Sequence, residues 1–306
     1  MNVGRTIRRT IRRQLKEYFE RYYEIKILFA VENGSRAWNM HSKSSDLDVR
    51  FVYVYNDKDT YHDLFKKVKQ TIECSFYITK GIKGTKNVTE EYKVEVVGWE
   101  LGKFLKLLMK SNCTAMEWVT SDIVYLGKEF LDNKGLQFLV DESSLYSLFK
   151  HYISLAKSNY NKYIKNEEVI IVKKLLYVLR GIFMAAYIVK ADDYKQLPFD
   201  DLLNFSLREK IINKEEYESV SFLLNMKREE RERKEKIFRG HKHAKAAITL
   251  TEKFIADEYP YILYDDRMLG EKIESFKKTI ANFLYRTISL GIEEEPFLTL
   301  DNLCTE

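Results

Sequence analysis

Residues 25–55 read IKILFAVENGSRAWNMHSKSSDLDVRFVYVY, and the fold is decided within this stretch. Ile25-Lys26-Ile27-Leu28-Phe29-Ala30-Val31 is a short apolar run suited to a buried strand. Asn33-Gly34-Ser35 ends it as a turn, and a short helix is expected to follow. A second strand is expected over 48–55. There Val49, Phe51, Tyr53 and Tyr55 alternate with Val52 and Val54, so the strand is apolar on both sides, as a central strand is. Asp46 and Asp48 stand at its start. Residues i and i+2 of a strand point to one face, so both carboxylates can reach the same ions.

Before this stretch, residues 4–23 have the pattern of a helix. Val3, Ile7, Ile11, Leu15, Tyr18, Phe19 and Tyr22 recur at helical spacing, with Arg5, Arg8, Arg9, Arg12, Arg13 and Lys16 on the other side. Such a helix can dock by its apolar stripe and offer guanidinium groups to the phosphates of a nucleic acid, or simply present a solvated basic face. After it, residues 61–79 fit a helix and a short strand, 81–89 a polar loop, and 92–97 a third strand. Residues 99–110 form an amphipathic helix with Lys103, Lys106 and Lys110 on one side. Past about residue 140 the strand signals end, and helices are expected over 144–165, 168–190, 214–238, 241–257 and 268–290. The ten charges from Lys227 to Lys236 are expected on an exposed helix with no chemical role. The organisation is therefore α+β, with an α/β domain over 1–140 and an all-helical domain over 141–306.

Composition narrows the class further. Only 3 Pro and 12 Gly leave little material for long loops, and 21 Tyr with 18 Phe give the core its bulk. No apolar run is long enough to span a membrane. Cys74, Cys113 and Cys304 lie far apart with no paired spacing, which points to a reducing, cytoplasmic setting and away from structural zinc. The net charge of +5 is uneven. Residues 1–16 carry bases and no acid, whereas Glu293, Glu294, Glu295, Asp301 and Glu306 make an acidic tail. Attraction to phosphate is thus local.

Three carboxylates stand out. Glu95 lies between Val94 and Val96 on its own expected strand, where a lone charge is costly to bury and needs a partner charge or a metal. Gly34-Ser35 follows a strand and opens a helix, an arrangement that lets backbone N–H groups approach a phosphate. Each piece alone is common. Strand, Gly-Ser, ten residues, Asp-x-Asp on a strand, then an acid on a later strand is a demanding order. It suits phosphoryl transfer, in which Mg²⁺ (or Mn²⁺) ions ~3.5–4 Å apart stabilise attacking and leaving oxygens.

Gly34-Ser35, Asp46-Leu47-Asp48-Val49 and Val94-Glu95-Val96 resemble the signature of polymerase-β-like nucleotidyltransferases. More narrowly, Glu32-Asn33-Gly34-Ser35-Arg36-Ala37-Trp38, Ser45 to Val54 and Gly98 to Lys103 are similar to RNA-ligase-associated nucleotidyltransferases of bacteria and phages. Lys110-Ser111-Asn112, Glu117-Trp118 and Lys173 to Arg180 continue the likeness, which spans about 27–190. The resemblance implies that Asp46, Asp48 and Glu95 bind two metals and that Gly34 and Ser35 hold a nucleoside triphosphate. It also implies a polymerase-β-like catalytic domain with a small mixed sheet. This chain departs from the family in having Asn39 and Gly181 where Gly and Pro are usual, and Glu95 in place of Asp.

Arg36 and Arg50 can each pair with phosphates or with the carboxylates. Trp38 can stack on a base or belong to the core. Lys173, Tyr177 and Arg180 share one helical face, and several relatives in the superfamily use a Lys and a Tyr from a helical domain to grip a triphosphate; the alternative is a core Tyr177 with solvated bases. His41 can approach the site or sit on the surface, and His241 and His243 have no further ligand at metal spacing. The expected activity is transfer of an NMP from an NTP to a hydroxyl, with an RNA end as acceptor by analogy with the family. The other readings are a protein or small-molecule acceptor, and a silent RNA-binding scaffold. Oligomeric state is left open.

Overall fold

The computed structural model describes residues 4–57, 59–62, 68–81, 89–229 and 235–256. The expected helix over 268–290, the acidic tail, Cys304, residues 82–88 of the polar loop and 230–234 of the charge run lie outside them.

The N-terminal helix is continuous but not uniform. α1 (Arg5–Arg13) passes through a π-helical segment (Gln14–Phe19) into α2 (Glu20–Tyr23). Ile7, Ile11, Leu15 and Phe19 are buried at strict four-residue spacing. An α-helix turns every 3.6 residues, so a row at that spacing slips around it. The wider π turn takes up the slip and keeps the row on the sheet. In a pure α-helix the row would continue from Leu15 to Tyr18 and Tyr22. Here it continues to Phe19, and Tyr18 and Tyr22, expected in the apolar stripe, are 54% and 66% exposed.

β1 (Ile25–Asn33), the short α3 (Gly34–Ala37) and β2 (Leu47–Tyr55) follow as expected. α4 (Asp59–His62), β3 (Thr71–Gly81) and β4 (Thr89–Glu100) come next, then α5 (Leu101–Met109), α6 (Cys113–Val119) and β5 (Val124–Leu126). The five strands form one mixed sheet in the order β3-β4-β2-β1-β5. β2 and β4 run parallel, and the other neighbours pair antiparallel. One face, with Val49, Phe51, Tyr53, Val94 and Val96, packs on Ile11, Leu15 and Phe19 of the N-terminal helix. The other face, with Phe29, Val31, Val52 and Val54, packs on the helices that follow. Across the parallel pair Phe51 opposes Gly98, and the Phe51 ring fills the space where a Cβ would project.

α7 (Lys128–Leu131), α8 (Lys134–Asp141), α9 (Leu145–Tyr163), β6 (Val169–Ile171) and α10 (Val172–Ala191) come next. α11 (Phe199–Arg208), α12 (Lys214–Glu229), β7 (Lys236–Phe238) and α13 (Lys242–Ala256) complete the described chain. No strand was expected beyond residue 140, yet β6 and β7 pair antiparallel. Three residues are too few for a two-residue period to show beside long helical patterns. α10 is buried along most of its length and shares one apolar cluster with the second face of the sheet. Lys227 also differs from expectation. It is buried, with Nζ 3.3 Å from Ser42 Oγ, because the end of α12 packs onto the loop before β2.

Gly98→Val should therefore destabilise the fold by about 1–3 kcal/mol, since the added side chain meets the Phe51 ring. Urea denaturation checks this, and Phe51→Ala in the same chain should recover part of the loss.

Candidate active site

The parallel ladder between β2 and β4 pairs Asp48 with Glu95 directly. Their neighbours Leu47, Val49, Val94 and Val96 all face the N-terminal helix. Strand alternation therefore turns Asp48 and Glu95 to the opposite face, toward α10. Asp46 stands just before β2, and its charge acts on Asp48, Lys93 and Tyr177.

Gly34 backs this cluster. It has φ +68°, and a Cβ there would come 2.5 Å from Asp48 Oδ2. Both the left-handed backbone and the close carboxylate call for glycine. Ser35 beside it is buried. Glu32 holds Asp48 from behind, accepting its backbone N–H at 2.9 Å. The same carboxyl group accepts the Tyr125 hydroxyl, and Ser121 Oγ donates to the Glu32 carbonyl at 2.6 Å. Burial pushes the Glu32 pKa up to about 7, against the hydrogen bonds from Tyr125 and the Asp48 backbone.

The carboxylates are compensated by nearby cations. Arg50 Nη2 donates to Asp48 Oδ1 at 3.0 Å, while Nη1 donates to the Val49 and Glu95 carbonyls, each at 3.1 Å. Arg50 is thus paired with the Asp48 carboxylate and with the backbone of Glu95. Burial raises the Asp48 pKa, and Arg50 and Lys173 oppose the rise. Glu95 is an ion-pair partner of Lys93, whose hydrogen bond lowers the Glu95 pKa; its side chain is 42% exposed. Among the described residues no three His, Cys, Asp or Glu side chains are gathered as a ready-made metal cage. In this conformation Lys93 draws Glu95 along its own strand, while Arg50 holds Asp48.

The loop carrying Asp46 is gripped from several sides. Arg36 donates to the Ser45 and Asp46 carbonyls at 2.7 and 3.0 Å. Asn39, at φ +56°, donates through its amide to Asp200 Oδ2 at 2.9 Å. Arg228 donates to Asp200 Oδ1 at 2.9 Å and to the Asn39 carbonyl at 2.7 Å. Phe199 N donates to the Trp38 carbonyl at 2.8 Å. α11 and α12 thus clasp the loop, a role for Asp200, Lys227 and Arg228 that no local motif announced. His41 is half-buried among Arg36, Arg228 and Lys227. Burial and those charges hold its pKa down to about 4, so its imidazole is neutral.

Lys173 and Tyr177 come to the cluster from α10. The Lys173 charge acts on both Asp48 and Glu95. Lys173 Nζ lies 5.5 Å from the centre of the Tyr177 ring, whose hydroxyl pKa is raised by burial and then by Asp48. Tyr177 meets Trp38 edge to face at 5.5 Å. Arg180 is placed differently. It is buried, 2.9 Å from Glu117 Oε1, with its guanidinium 3.9 Å from the centre of the Trp38 ring. Its charge is committed to Glu117, so Trp38 and Arg180 brace the site from within the core. On the far face of the sheet, Arg12 donates to the Tyr125 carbonyl and Arg8 is half-buried, while Arg5, Arg9 and Arg13 are exposed. His241 and His243 stack on Phe222, away from the carboxylates.

A mixed sheet with acids side by side on parallel strands, backed by a glycine-led turn and closed by helices, defines a polymerase-β-like nucleotidyltransferase fold. Within that class, the RNA repair pathway DNA polymerase beta family, RlaP, matches residues 7–256, and the chain belongs to this family. It is 31% identical over 275 residues to the uncharacterized protein YcgL of Bacillus subtilis, covering 88% of this chain and 91% of that protein. The uncharacterized protein MJ0002 of Methanocaldococcus jannaschii is 25% identical over 171 residues, 55% of this chain and 62% of that protein. Among the described residues no helix is long and apolar enough to cross a membrane.

Glu32 gives the site a pH signature. Its folded pKa of about 7 exceeds the ordinary 4.5, so the folded state holds a proton that the unfolded state has released. Its contribution to stability is greatest below pH 4.5 and is lost as the pH rises to about 7. Glu32→Gln should remove this slope, at most ~1.4 kcal/mol per pH unit. Denaturant melts of both proteins across the window check it; a constant difference between them would contradict the assignment.

Proposed function

We propose that the chain transfers a nucleoside monophosphate from an NTP to a hydroxyl at an RNA end, releasing pyrophosphate. The adjacent register of Asp48 and Glu95, with Asp46 at the start of β2, is the observation that carries this reading. The family's RNA repair description supports RNA as the acceptor.

Asp46, Asp48 and Glu95 are the residues that would hold two Mg²⁺ (or Mn²⁺) ions. All three offer hard oxygen donors, as these ions prefer. Asp48 is desolvated enough for its pKa to rise, and the structure already sets Arg50 on Asp48 and Lys93 on Glu95. A cluster balanced by cationic side chains fits a divalent ion once Lys93 swings away. Ions held by these residues would neutralise the triphosphate and lower the pKa of the attacking hydroxyl.

The protein's own groups do the positioning. Gly34 leaves the backbone bare for the phosphates, and Ser35 adds a hydroxyl. Lys173 and Tyr177 close on the triphosphate from α10, with Lys173 supplying positive charge. Arg36 fixes the Ser45 and Asp46 carbonyls and so holds Asp46 in place. The acceptor oxygen bonds to the α-phosphorus as the bond from that phosphorus to the β-bridging oxygen breaks. Its proton passes to the Glu95 carboxylate.

With NTPs radiolabelled at the α-phosphate, Mg²⁺ and RNA, the label should move to the RNA. Asp46→Asn and Asp48→Asn should each cut transfer by at least about a hundredfold while the melting temperature stays near that of the parent. Label on the protein itself or on a small molecule would reassign the acceptor, and no transfer with any NTP would reject the reading. Lys173→Ala should raise the KM for NTP about tenfold, the effect of one charge-assisted phosphate contact, and steady-state kinetics read this directly.

A further inference from the structure

We propose that the outer face of the N-terminal helix is a docking surface for single-stranded RNA, separate from the carboxylate site. The structure divides the five arginines of α1 into two sets. Arg12 donates to the Tyr125 carbonyl and Arg8 is half-buried, so these two tie the helix to the sheet. Arg5, Arg9 and Arg13 are exposed. At the same four-residue spacing the next positions are Glu17 and Arg21, both exposed, and Tyr18 and Tyr22 stand one residue beyond each of them, beside the row. Each α-helical step of four residues advances about 6 Å, within reach of consecutive phosphates on an unstacked strand.

The tyrosines are the second observation. Both rings are more than half exposed, and they stand 5.5 Å apart and within 5° of parallel. Phe19 has taken their place in the core, so they do not serve packing under the helix. Unpaired bases stack on such rings without regard to sequence. Tyr23 and Lys69 widen the patch, with Lys69 Nζ 5.7 Å from the centre of the Tyr23 ring. Of the nearby acids, Glu20 is held by Lys16 at 3.2 Å and by the Ile27 N–H at 2.9 Å, while Glu17 is exposed. A basic amphipathic helix can also lie on a membrane, but here Ile7, Ile11, Leu15 and Phe19 are spent on the sheet. Among the described residues the outer face keeps no aliphatic side chain, only tyrosine rings with polar tips. The choice of RNA over other polymers rests on the acceptor proposed above. The surface itself lies on the sheet face opposite Asp48 and Glu95.

Fluorescence anisotropy with the full chain, without NTP, tests this on three ligands: an unstructured single-stranded RNA, an RNA duplex of equal length, and heparin. Tyr18→Ser with Tyr22→Ser should raise the Kd for the single strand about tenfold and leave duplex and heparin unchanged. Tyr18→Phe with Tyr22→Phe keeps the rings and should retain binding, which separates stacking from any loss of fold. Arg5→Gln, Arg9→Gln and Arg13→Gln together should weaken all three ligands and flatten the salt dependence. Asp48→Asn should bind the single strand like the parent, so this surface and the proposed transfer reaction can fail separately. An unchanged Kd in the double serine variant would overturn the proposal. So would binding to phosphatidylglycerol vesicles in preference to RNA.

Discussion

The parallel pairing of β2 with β4 is the constraint on which the site depends. Sequence separates Asp48 from Glu95 by most of two strands and the segment between them, yet one hydrogen-bonded ladder makes them neighbours. A slip of one residue would send one carboxylate into the apolar layer under the N-terminal helix. The Phe51 ring over Gly98 opposes that slip, because a larger residue in register with Phe51 has no room. Packing on one face of the sheet thus secures chemistry on the other.

Placing acids together on a partly buried face is costly, and the surrounding structure shows how that cost is met. Arg50 bonds both to Asp48 and to the Glu95 backbone, so one guanidinium spans the two strands. Glu32 supports the Asp48 backbone from the opposite face, where its own carboxyl is held by Tyr125. Lys173 brings further positive charge from a helix more than a hundred residues downstream. The helical part therefore completes the electrostatics that the sheet begins.

Much of this was legible in the sequence because it is written in short periods and fixed offsets. An apolar run marked β1, alternation marked β2, the Asp46-x-Asp48 spacing marked a shared face, and valines on both sides marked Glu95. Other features have no local signature. The π turn is a defect in helical phase that shows only through which ring, Phe19 or Tyr18, is buried. β6 and β7 are too short to display a period. Glu32 opens the family-like block at the turn, but its role comes from Tyr125, which is distant in sequence. Arg180 shares a helical face with Tyr177, but its environment is decided by Glu117 on another element. Lys227 sits in a charge run and is buried only because α12 meets the loop before β2.

The Asn39–Asp200–Arg228 clasp bears on how this chain can be recombined with its kin. Asn39 occupies a position where the family resemblance leads one to expect glycine, and its amide grips a carboxylate on α11 that α12 also holds. A chimera that took the sheet from one relative and the helices from another would cut this three-way seam. It would leave Asp200 without its amide donor or Arg228 without its carboxylate. The two halves are therefore heritable as a matched set, and module swaps should carry positions 39, 200 and 228 together.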